Sequence, residues 1–235
     1  MTPSVLPAAL VDRLCASGAG LLLDLDGTLL DSEPVHRAAF VEYFGSRGWD
    51  VPEEVVHLFS GRRAAEVFST LDGPWRGEDP SELTEAVIAV LRRSTARPVA
   101  VPGAVDLLDA CAVTGLPVAV VTSARLEWAT AALQTLGTDV PALVTAEDCT
   151  HGKPHPEPYC RGAELLDLDP ARLVAVEDAV AGIESARAAG VGYVVALTTS
   201  QPATVLSAAD LALPDLTDVA LAVRTRSGTP GGTQR

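Results

Sequence analysis

The segment GLLLDLDGT, residues 20–28, is an apolar run that ends in two aspartates, Asp24 and Asp26. Residues two apart in an extended chain lie on the same face, so a strand here presents both carboxylates side by side at its end. The two groups repel each other unless a proton or a cation lies between them, and hard oxygen ligands of this kind suit Mg²⁺. Gly27 allows a sharp turn after them. From this pair alone, a strand that ends in a solvated Asp-Gly turn is an equal alternative.

Similar apolar runs, rich in Leu, Val and Ala, recur along the chain at 20–25, 117–121, 142–145, 173–176 and 193–197. Continuous rather than alternating hydrophobicity is typical of parallel strands that are covered on both faces. Helical patterns lie between the runs, for example over 105–112, 126–136, 158–166 and 183–189. This alternation predicts an α/β fold, a doubly wound Rossmann-like parallel sheet that binds ligands at the carboxyl ends of its strands.

The first two predicted strands are separated by about 90 residues, far more than an α/β crossover normally needs. Helical patterns occupy this interval over 35–44, 53–59, 64–71 and 83–91. We therefore expect a helical cap over residues 33–98, inserted into a core domain formed by residues 1–32 and 99–223. Pro98 and Pro102 are placed to stiffen a hinge at its exit. Residues 224–235 are rich in Gly, Thr and Pro and are expected to be disordered.

The chain has 235 residues and a formal net charge of −14. That charge repels nucleic acids and anionic lipid surfaces, so neither is expected as a partner. The four cysteines show no C-x-x-C spacing, which argues against a zinc site. The start of the chain lacks the basic segment of a secretion signal, and no apolar run approaches the roughly 20 residues that span a bilayer, so a cytoplasmic protein is expected. A monomer and a weak homodimer both stay open.

A second acidic pair, Glu177-Asp178, follows the fourth predicted strand. In a doubly wound sheet this strand end faces the same crevice as Asp24 and Asp26, so acids from two strands meet there. Such a cluster requires a divalent ion or several protons. The alternative is that the pair caps a helix over 179–189, and capping is compatible with metal binding.

Hydroxyls and one lysine complete the predicted site. Thr122 and Ser123 follow the second strand and are expected to begin a helix, whose free N–H groups suit an anion. A plain Ser/Thr helix cap is the alternative. Lys153 follows the third strand, next to Pro154. A solvated loop lysine is common, but beside clustered carboxylates it supplies the local positive charge that a phosphate needs.

Together these groups predict phosphoryl transfer on a small phosphorylated metabolite. Asp24 attacks phosphorus to form an aspartyl-phosphate, and Asp26 protonates the departing alkoxide and then activates water. Mg²⁺ and Lys153 stabilise the phosphoryl oxygens, and Thr122 hydrogen-bonds one of them. The helical cap excludes bulk water and contacts the leaving group.

These motifs resemble those of the haloacid dehalogenase superfamily in order and spacing: Asp24-Leu25-Asp26-Gly27-Thr28, Thr122 after a strand, Lys153-Pro154 and Glu177-Asp178. The resemblance covers about residues 20–220. It implies that Asp24 is the nucleophile and Asp26 the acid and base. It also implies that Mg²⁺ is held by Asp24, the Asp26 carbonyl and Asp178, with Glu177 in support at the metal site.

The helical insert is similar to the cap of the branch that contains β-phosphoglucomutase and small sugar-phosphate phosphatases. Within this branch the segments at 144–148, 152–159 and 177–183 look most like phosphatases of hexose or polyol phosphates, such as the 2-deoxyglucose-6-phosphate phosphatase type. Ser60-Gly61-Arg62-Arg63 looks like the substrate-facing loop, in which Gly61 permits close approach and Arg62 binds sugar or phosphate oxygens. Solvated arginines at a helix start are the alternative. His155 stands where the family pattern has an acidic residue.

Three alternatives to a phosphatase remain at this point. A β-phosphoglucomutase uses the same aspartyl-phosphate but returns the phosphoryl group to another hydroxyl of the sugar. A dehalogenase is disfavoured because carbon–halogen cleavage needs neither Asp26 nor Mg²⁺. A receiver-like phosphoacceptor module, which is a switch rather than an enzyme, shares the acidic cluster, hydroxyl and lysine, but it needs neither a cap nor an acid for a leaving group.

Overall fold

The computed structural model describes residues 6–137, 140 and 142–228. Its strands are β1 (Gly20–Leu23), β2 (Leu30–Asp31), β3 (Val99–Ala100), β4 (Val118–Val121), β5 (Ala142–Val144), β6 (Leu173–Glu177), β7 (Tyr193–Leu197) and β8 (Leu211–Leu213). Its α-helices are α1 (Ala8–Cys15), α2 (Glu33–Ser46), α3 (Glu53–Val56), α4 (Ala64–Thr70), α5 (Pro80–Arg93), α6 (Ala104–Thr114), α7 (Leu126–Thr135), α8 (Glu157–Leu166), α9 (Val180–Ala188) and α10 (Thr217–Arg224). Short 3₁₀ turns include His57–Phe59 after α3 and Thr225–Gly228 after α10.

A six-stranded parallel sheet in the order β5-β4-β1-β6-β7-β8 forms the centre of the fold. From β1 the chain passes to β4 and β5 on one side, then crosses to β6, β7 and β8 on the other. The order of the strands therefore reverses at β1, and ligand crevices of open α/β sheets form at such a point. The prediction of a doubly wound α/β fold is confirmed.

The four inner strands β1, β4, β6 and β7 are buried at every position, and Glu177 is their only charged residue. Leu21 and Leu23 belong to a hydrophobic cluster with residues of α1, α6, α7 and α10 on one face. Leu22 belongs to a second cluster with residues of α8 and α9 on the other face. The predicted strands thus sit between two helical layers, as continuous hydrophobicity requires.

Helices α2 to α5 pack around a hydrophobic core of their own. Its aromatic centre contains Phe44, Phe59, Phe68 and Trp75, and Trp75 is 1% exposed. Aromatic rings bury large apolar areas, so a few of them suffice to hold this short helical segment together. The exact boundaries of the core and cap domains stay a prediction.

Some elements differ from expectation. β2 and β3 pair antiparallel, Leu30 with Ala100 and Asp31 with Val99, so the chain enters and leaves the helical insert at one place. These two strands are too short for a hydrophobic pattern to reveal them, and β8 was not predicted either. Residues 224–228 end α10 and form a 3₁₀ turn, so the disorder predicted from residue 224 is wrong there. Residues 229–235 of the predicted tail lie outside the described residues. Among the helices that the structure describes, none has the length and apolar character needed to cross a bilayer.

Candidate active site

Asp24 lies directly after β1, at the point where the strand order reverses. Its N–H donates to the Val176 carbonyl of the neighbouring strand at 3.0 Å, and the residue is only 3% exposed. Gly27, two residues past Leu25, has a φ of +84°. A Cβ at this position would lie 1.9 Å from an oxygen of Asp178. Glycine at 27 therefore lets the first acidic loop approach the second.

Lys153 is buried beneath Asp24 rather than solvated. Its Nζ donates to Asp24 Oδ1 at 2.6 Å, to Glu177 Oε1 at 2.6 Å and to the Val121 carbonyl at 2.9 Å. An ammonium has three protons, so these three acceptors satisfy it fully. The loop between β5 and α8 thus carries a positive charge into the acidic cluster.

Glu177 is the last residue of β6 and holds Lys153 in place. Its Oε1 also accepts the Tyr159 hydroxyl at 2.6 Å, and its Oε2 accepts the N–H of Asp178 at 3.2 Å. A Cβ at Gly182 would lie 1.9 Å from the Glu177 carboxylate, so the helix behind it must have glycine there. Sequence reasoning gave no role to Tyr159 or Gly182.

Burial of the carboxyl groups and of the Lys153 ammonium shifts the pKa values of this cluster. Burial raises the pKa of Asp24 to about 8, although Lys153 opposes the rise. Burial, together with the charges of Asp24 and Glu177, also raises the pKa of Asp178 well above its usual value. Burial lowers the pKa of Lys153, but attraction to Asp24 and Glu177 outweighs it and raises that pKa overall. The cluster therefore favours either extra protons or an additional cation.

The residues present fit a hard divalent metal ion. Carboxylate oxygens of Asp24, Glu177 and Asp178 lie within 4.8 Å of one another. Asp24 Oδ2 and Asp178 Oδ1 are buried and have no hydrogen-bond donor among the described residues. Unpaired buried carboxylate oxygens are costly, and Mg²⁺ takes such ligands. Both oxygens of Glu177 already accept hydrogen bonds, so Asp24 and Asp178 are better placed as ligands than Glu177.

Asp178 does not cap the helix that follows it. α9 begins at Val180 with Ala179 as its N-cap, and no side chain caps it. The other oxygen of Asp178, Oδ2, accepts the hydroxyl of Ser200. The capping alternative for Glu177-Asp178 is therefore wrong.

Asp26 is held by two side chains, and lies near a third, that sequence reasoning did not connect with it. Its Oδ1 accepts the Ser32 hydroxyl at 2.7 Å and the indole N–H of Trp128 at 2.9 Å. His36 Nε2 lies 3.9 Å from the same oxygen. These contacts orient the carboxylate between the start of the helical insert and α7. Trp128 is 102 residues away in sequence, so no local pattern indicates the contact.

Thr122 and Ser123 follow β4 as predicted, but they do not begin a helix. α7 starts at Leu126 with Arg125 as its N-cap. Thr122 Oγ1 instead accepts the N–H of Ala124 at 3.0 Å. The expected helix N-terminus therefore lies beyond these hydroxyls, because a short loop separates them from α7.

The loop at 60–63 joins the helical insert to the sheet. The Ser123 hydroxyl donates to the Gly61 carbonyl at 2.9 Å. Arg63 Nη2 donates to the Cys149 carbonyl at 3.0 Å, and Glu66 Oε1 accepts the N–H of Gly152 at 2.8 Å. Arg63, which the sequence placed in the substrate-facing loop, and Glu66, which was given no role from the sequence, thus hold the insert against the loop that carries Lys153.

A cavity of about 470 Å³ lies between the helical insert and the sheet. Six of the predicted site residues line it, namely Asp24, Asp26, Gly61, Arg62, Thr122 and Ser123. Lys153, Glu177 and Asp178 lie behind Asp24 and are almost fully buried. The predicted set is therefore brought together in two layers, one that faces the cavity and one that supports Asp24 from behind.

His155, which departs from the family pattern, lies on the surface of the Lys153 loop. Its ring stacks on that of His151, with centroids 4.4 Å apart. The carboxylate that contacts this loop belongs to Glu157, the first residue of α8, which accepts the N–H groups of Thr150 and His151 at 2.8 and 2.9 Å. These backbone donors lower the pKa of Glu157 to about 2. Glu157 thus holds the shape of the loop from outside.

Comparison with known proteins agrees with this geometry. A family model described as haloacid dehalogenase-like hydrolase matches residues 19–190. The chain is 38% identical to validoxylamine A 7'-phosphate phosphatase of Streptomyces hygroscopicus subsp. limoneus, over 84% of this chain and 94% of that protein. It is 36% identical to hexitol phosphatase A of Escherichia coli (strain K12), over 85% of this chain and 92% of that protein.

Solved structures share the fold. A hydrolase from Pseudomonas syringae superposes with a TM-score of 0.78 at 24% identity, over 88% of this chain and 98% of the other. At that identity the likeness concerns the fold alone. The acidic cluster at β1, where the strand order reverses, agrees with the matched family model. The chain belongs to the haloacid dehalogenase-like hydrolase family, as that family model and the two relatives show.

Proposed function

We propose that this chain is a phosphatase that hydrolyses the phosphate monoester of a sugar or polyol, with Mg²⁺ as cofactor. One observation carries the proposal: Asp24 and Asp26 both line the cavity under the helical insert, and Asp24 is bonded from behind by Lys153 at 2.6 Å. Membership of the hydrolase family supports it. So do the relatives, two of which are named as phosphatases of validoxylamine A 7'-phosphate and of hexitol.

In the first step Asp24 is the nucleophile. Asp24 lines the cavity, where the phosphate ester would meet its carboxylate. An oxygen of Asp24 bonds to phosphorus while the bond from phosphorus to the ester oxygen breaks. Asp26, in its acid form, gives a proton to that departing oxygen, and the free alcohol leaves. Ser32 and Trp128 keep the Asp26 carboxyl oriented for this transfer.

In the second step the aspartyl-phosphate on Asp24 is hydrolysed. Asp26, now a carboxylate, takes a proton from a water molecule whose oxygen attacks phosphorus. The bond between phosphorus and the Asp24 oxygen breaks, which releases inorganic phosphate and restores the carboxylate. The helical insert excludes other water from the cavity during both steps.

The remaining predicted residues bind the phosphoryl group and the metal ion. Asp24, the Asp26 carbonyl and Asp178 are the proposed ligands, and Glu177 supports them through Lys153. Bound Mg²⁺ offsets the charge of the carboxylates and of the phosphate. Thr122 and Ser123 are proposed to contact phosphoryl oxygens, whereas Lys153, whose three protons go to Asp24, Glu177 and the Val121 carbonyl, is proposed to act on them through its charge beneath Asp24. Gly61 and Arg62 are proposed to contact the sugar or polyol, in a cap over 33–98 that closes on a core of 1–32 and 99–223.

Phosphate release from a panel of sugar and polyol phosphates, measured with and without Mg²⁺, tests the proposal. Asp24→Asn keeps the shape but removes the nucleophile, so we expect a loss of activity of at least about 10³-fold. Asp50→Asn, at an exposed position of the insert, is the matched control and should retain activity. Full activity of Asp24→Asn contradicts the mechanism. Conversion of β-glucose 1-phosphate into glucose 6-phosphate with a bisphosphate primer, without free phosphate, would instead indicate a mutase.

A further inference from the structure

The cavity has a large apolar section that a phosphate and its metal ion leave uncovered. Five side chains form this section, called here the apolar wall: Phe40, Ile88, Leu91, Trp128 and Ala131. They come from α2 and α5 of the helical insert and from α7 of the sheet domain. The wall shares its cavity with Asp24 and Asp26, so it faces whatever is esterified to the phosphate.

Packing of the helical insert does not bury the apolar wall, because Phe40 and Leu91 pack against the edge of its core and stay half-buried. α5 uses Leu83, Val87 and Val90 to fill the core of the insert, where they are 2–6% exposed. Ile88 and Leu91 lie one position further round the helix, are only half-buried and line the cavity. α5 thus carries a second apolar stripe, and apolar surface left to water is unfavourable unless a ligand covers it.

The apolar wall is held in a defined shape by its neighbours. The ring of Phe40 packs on that of Phe59 with centroids 4.5 Å apart. The indole of Trp128 is oriented by its 2.9 Å hydrogen bond to Asp26. An exposed ion pair of 2.6 Å between Arg92 of α5 and Glu127 of α7 spans the two sides and adds little to this rigidity. The wall is therefore a preformed surface, as ligand sites usually are.

The apolar character of this wall favours some alcohols over others as the part of the substrate that is esterified to phosphate. An acyclic polyol carries hydroxyls along its whole length, and those pressed against the wall lose water without gaining a partner. A ring with an apolar substituent or face covers the wall without leaving a hydroxyl unpaired. The cavity of about 470 Å³ also lies within the range, about 300–1,000 Å³, of pockets that enclose drug-sized ligands.

We propose that the alcohol released by this enzyme is larger than a single hexose and carries an apolar group or ring remote from the phosphate, as in a glycoside phosphate, and that the apolar wall binds this group. The inference rests on the proposed phosphatase function. It narrows that function from sugar and polyol phosphates in general to ring-bearing alcohols with an apolar part.

Two matched esters test this inference, methyl and phenyl β-glucopyranoside 6-phosphate, which differ in the apolar group alone. We expect kcat/KM for the phenyl ester to exceed that for the methyl ester by about tenfold or more. Ile88→Asn should lower this ratio to below about threefold, because it places a polar amide on the wall. Ala131→Asn, at an exposed position of α7 where folding is not at stake, should do the same. Val41→Asn, on the exposed side of α2, should leave the ratio unchanged.

The outcomes separate the two proposals. Phosphate release from both esters with a ratio near one in the unaltered enzyme overturns the inference and leaves the phosphatase function standing. A high ratio that both wall variants retain also overturns it, because another surface would then bind the phenyl group. If neither ester, nor any other phosphate monoester, releases phosphate in an Asp24-dependent reaction, the proposed function is wrong and the inference falls with it.

Discussion

Replacement of Lys153 by Met tests the charge balance of the buried cluster. Met resembles Lys in length and is unbranched, so it fills the same space without the ammonium. The change removes hydrogen bonds from Nζ to Asp24, Glu177 and the Val121 carbonyl. Asp24 and Glu177, which are 3% and 0% exposed, then lose the cation between them.

The expected loss of stability follows from two opposing effects. At 2.6 Å and an effective dielectric constant of about 20, each carboxylate attracts the ammonium by about 6 kcal/mol. The desolvation penalty of Lys153 itself, several kcal/mol, disappears with the charge and offsets much of this loss. Removal of one partner of a buried pair typically costs about 3–5 kcal/mol, and because two carboxylates lose their partner we expect a loss near 5 kcal/mol.

Urea unfolding followed by circular dichroism at pH 9, in the presence of EDTA, measures this loss, because the Asp24 carboxyl, with a pKa of about 8, is ionised at that pH. Arg93→Met is the matched control, since Arg93 pairs with Glu42 at 3.5 Å on the surface, where both side chains are 64% exposed, and should cost less than about 1 kcal/mol. Adding Glu177→Gln to Lys153→Met should recover part of the stability, because it removes one of the two buried charges. A loss for Lys153→Met no larger than that of the control would refute the reasoning and show that the carboxyls are neutral in the folded protein.

Further predictions concern the metal ion, the Lys153 loop and the helix behind Glu177. Mg²⁺ at about 100 times its dissociation constant should raise the free energy of unfolding by about 2.7 kcal/mol, and Asp178→Asn should abolish this gain in a urea titration with and without the ion. Glu157→Gln should destabilise the fold at pH 7. Because the pKa of Glu157 falls from 4.5 to about 2 on folding, its contribution is present above pH 4.5 and is lost as the pH falls towards 2. Unfolding free energies at pH 7, 5 and 3.5 check this, and a constant difference from the unaltered protein contradicts it. Gly182→Ala should destabilise by about 3 kcal/mol, because its methyl group would lie 1.9 Å from the Glu177 carboxylate. Gly45→Ala, where a Cβ meets nothing within 4 Å, should instead stabilise by about 0.5–1 kcal/mol, and equal melting temperatures for the two variants would count against this explanation.

The fold class could be predicted because it depends on local patterns. Runs such as 173–176 are apolar at every position, and a strand of that kind must be covered on both faces whichever strands lie beside it. The helical insert was also predictable, since its helices carry apolar stripes of their own. By contrast, β2 and β3 have two residues each, too few for any periodicity to be recognised. β8 has three residues, as β5 does, but its middle residue is exposed, so it lacks the character of a strand covered on both faces.

The candidate site divides in the same way. Asp24, Asp26 and Glu177-Asp178 follow strands directly, so the rule that parallel strands end at one edge brings them together without any knowledge of side-chain positions. Trp128 and Tyr159 were missed because each looks like an ordinary aromatic residue on an amphipathic helix. The Trp128 N–H acquires a role only through its contact with Asp26, and the Tyr159 hydroxyl only through its contact with Glu177.

The sequence by itself determined the elements, the acidic loops and the family resemblance, because hydrophobic pattern and motif spacing are local properties of the chain. Only the tertiary structure decided that Lys153 is buried against Asp24, a residue 129 positions away, and that Glu177 is used to hold it. It also decided the apolar wall, which α2, α5 and α7 form jointly. The physical reason is that backbone hydrogen bonds between strands do not depend on side-chain identity. Strand order therefore follows from the packing of the whole chain, and so do the contacts between residues far apart in sequence.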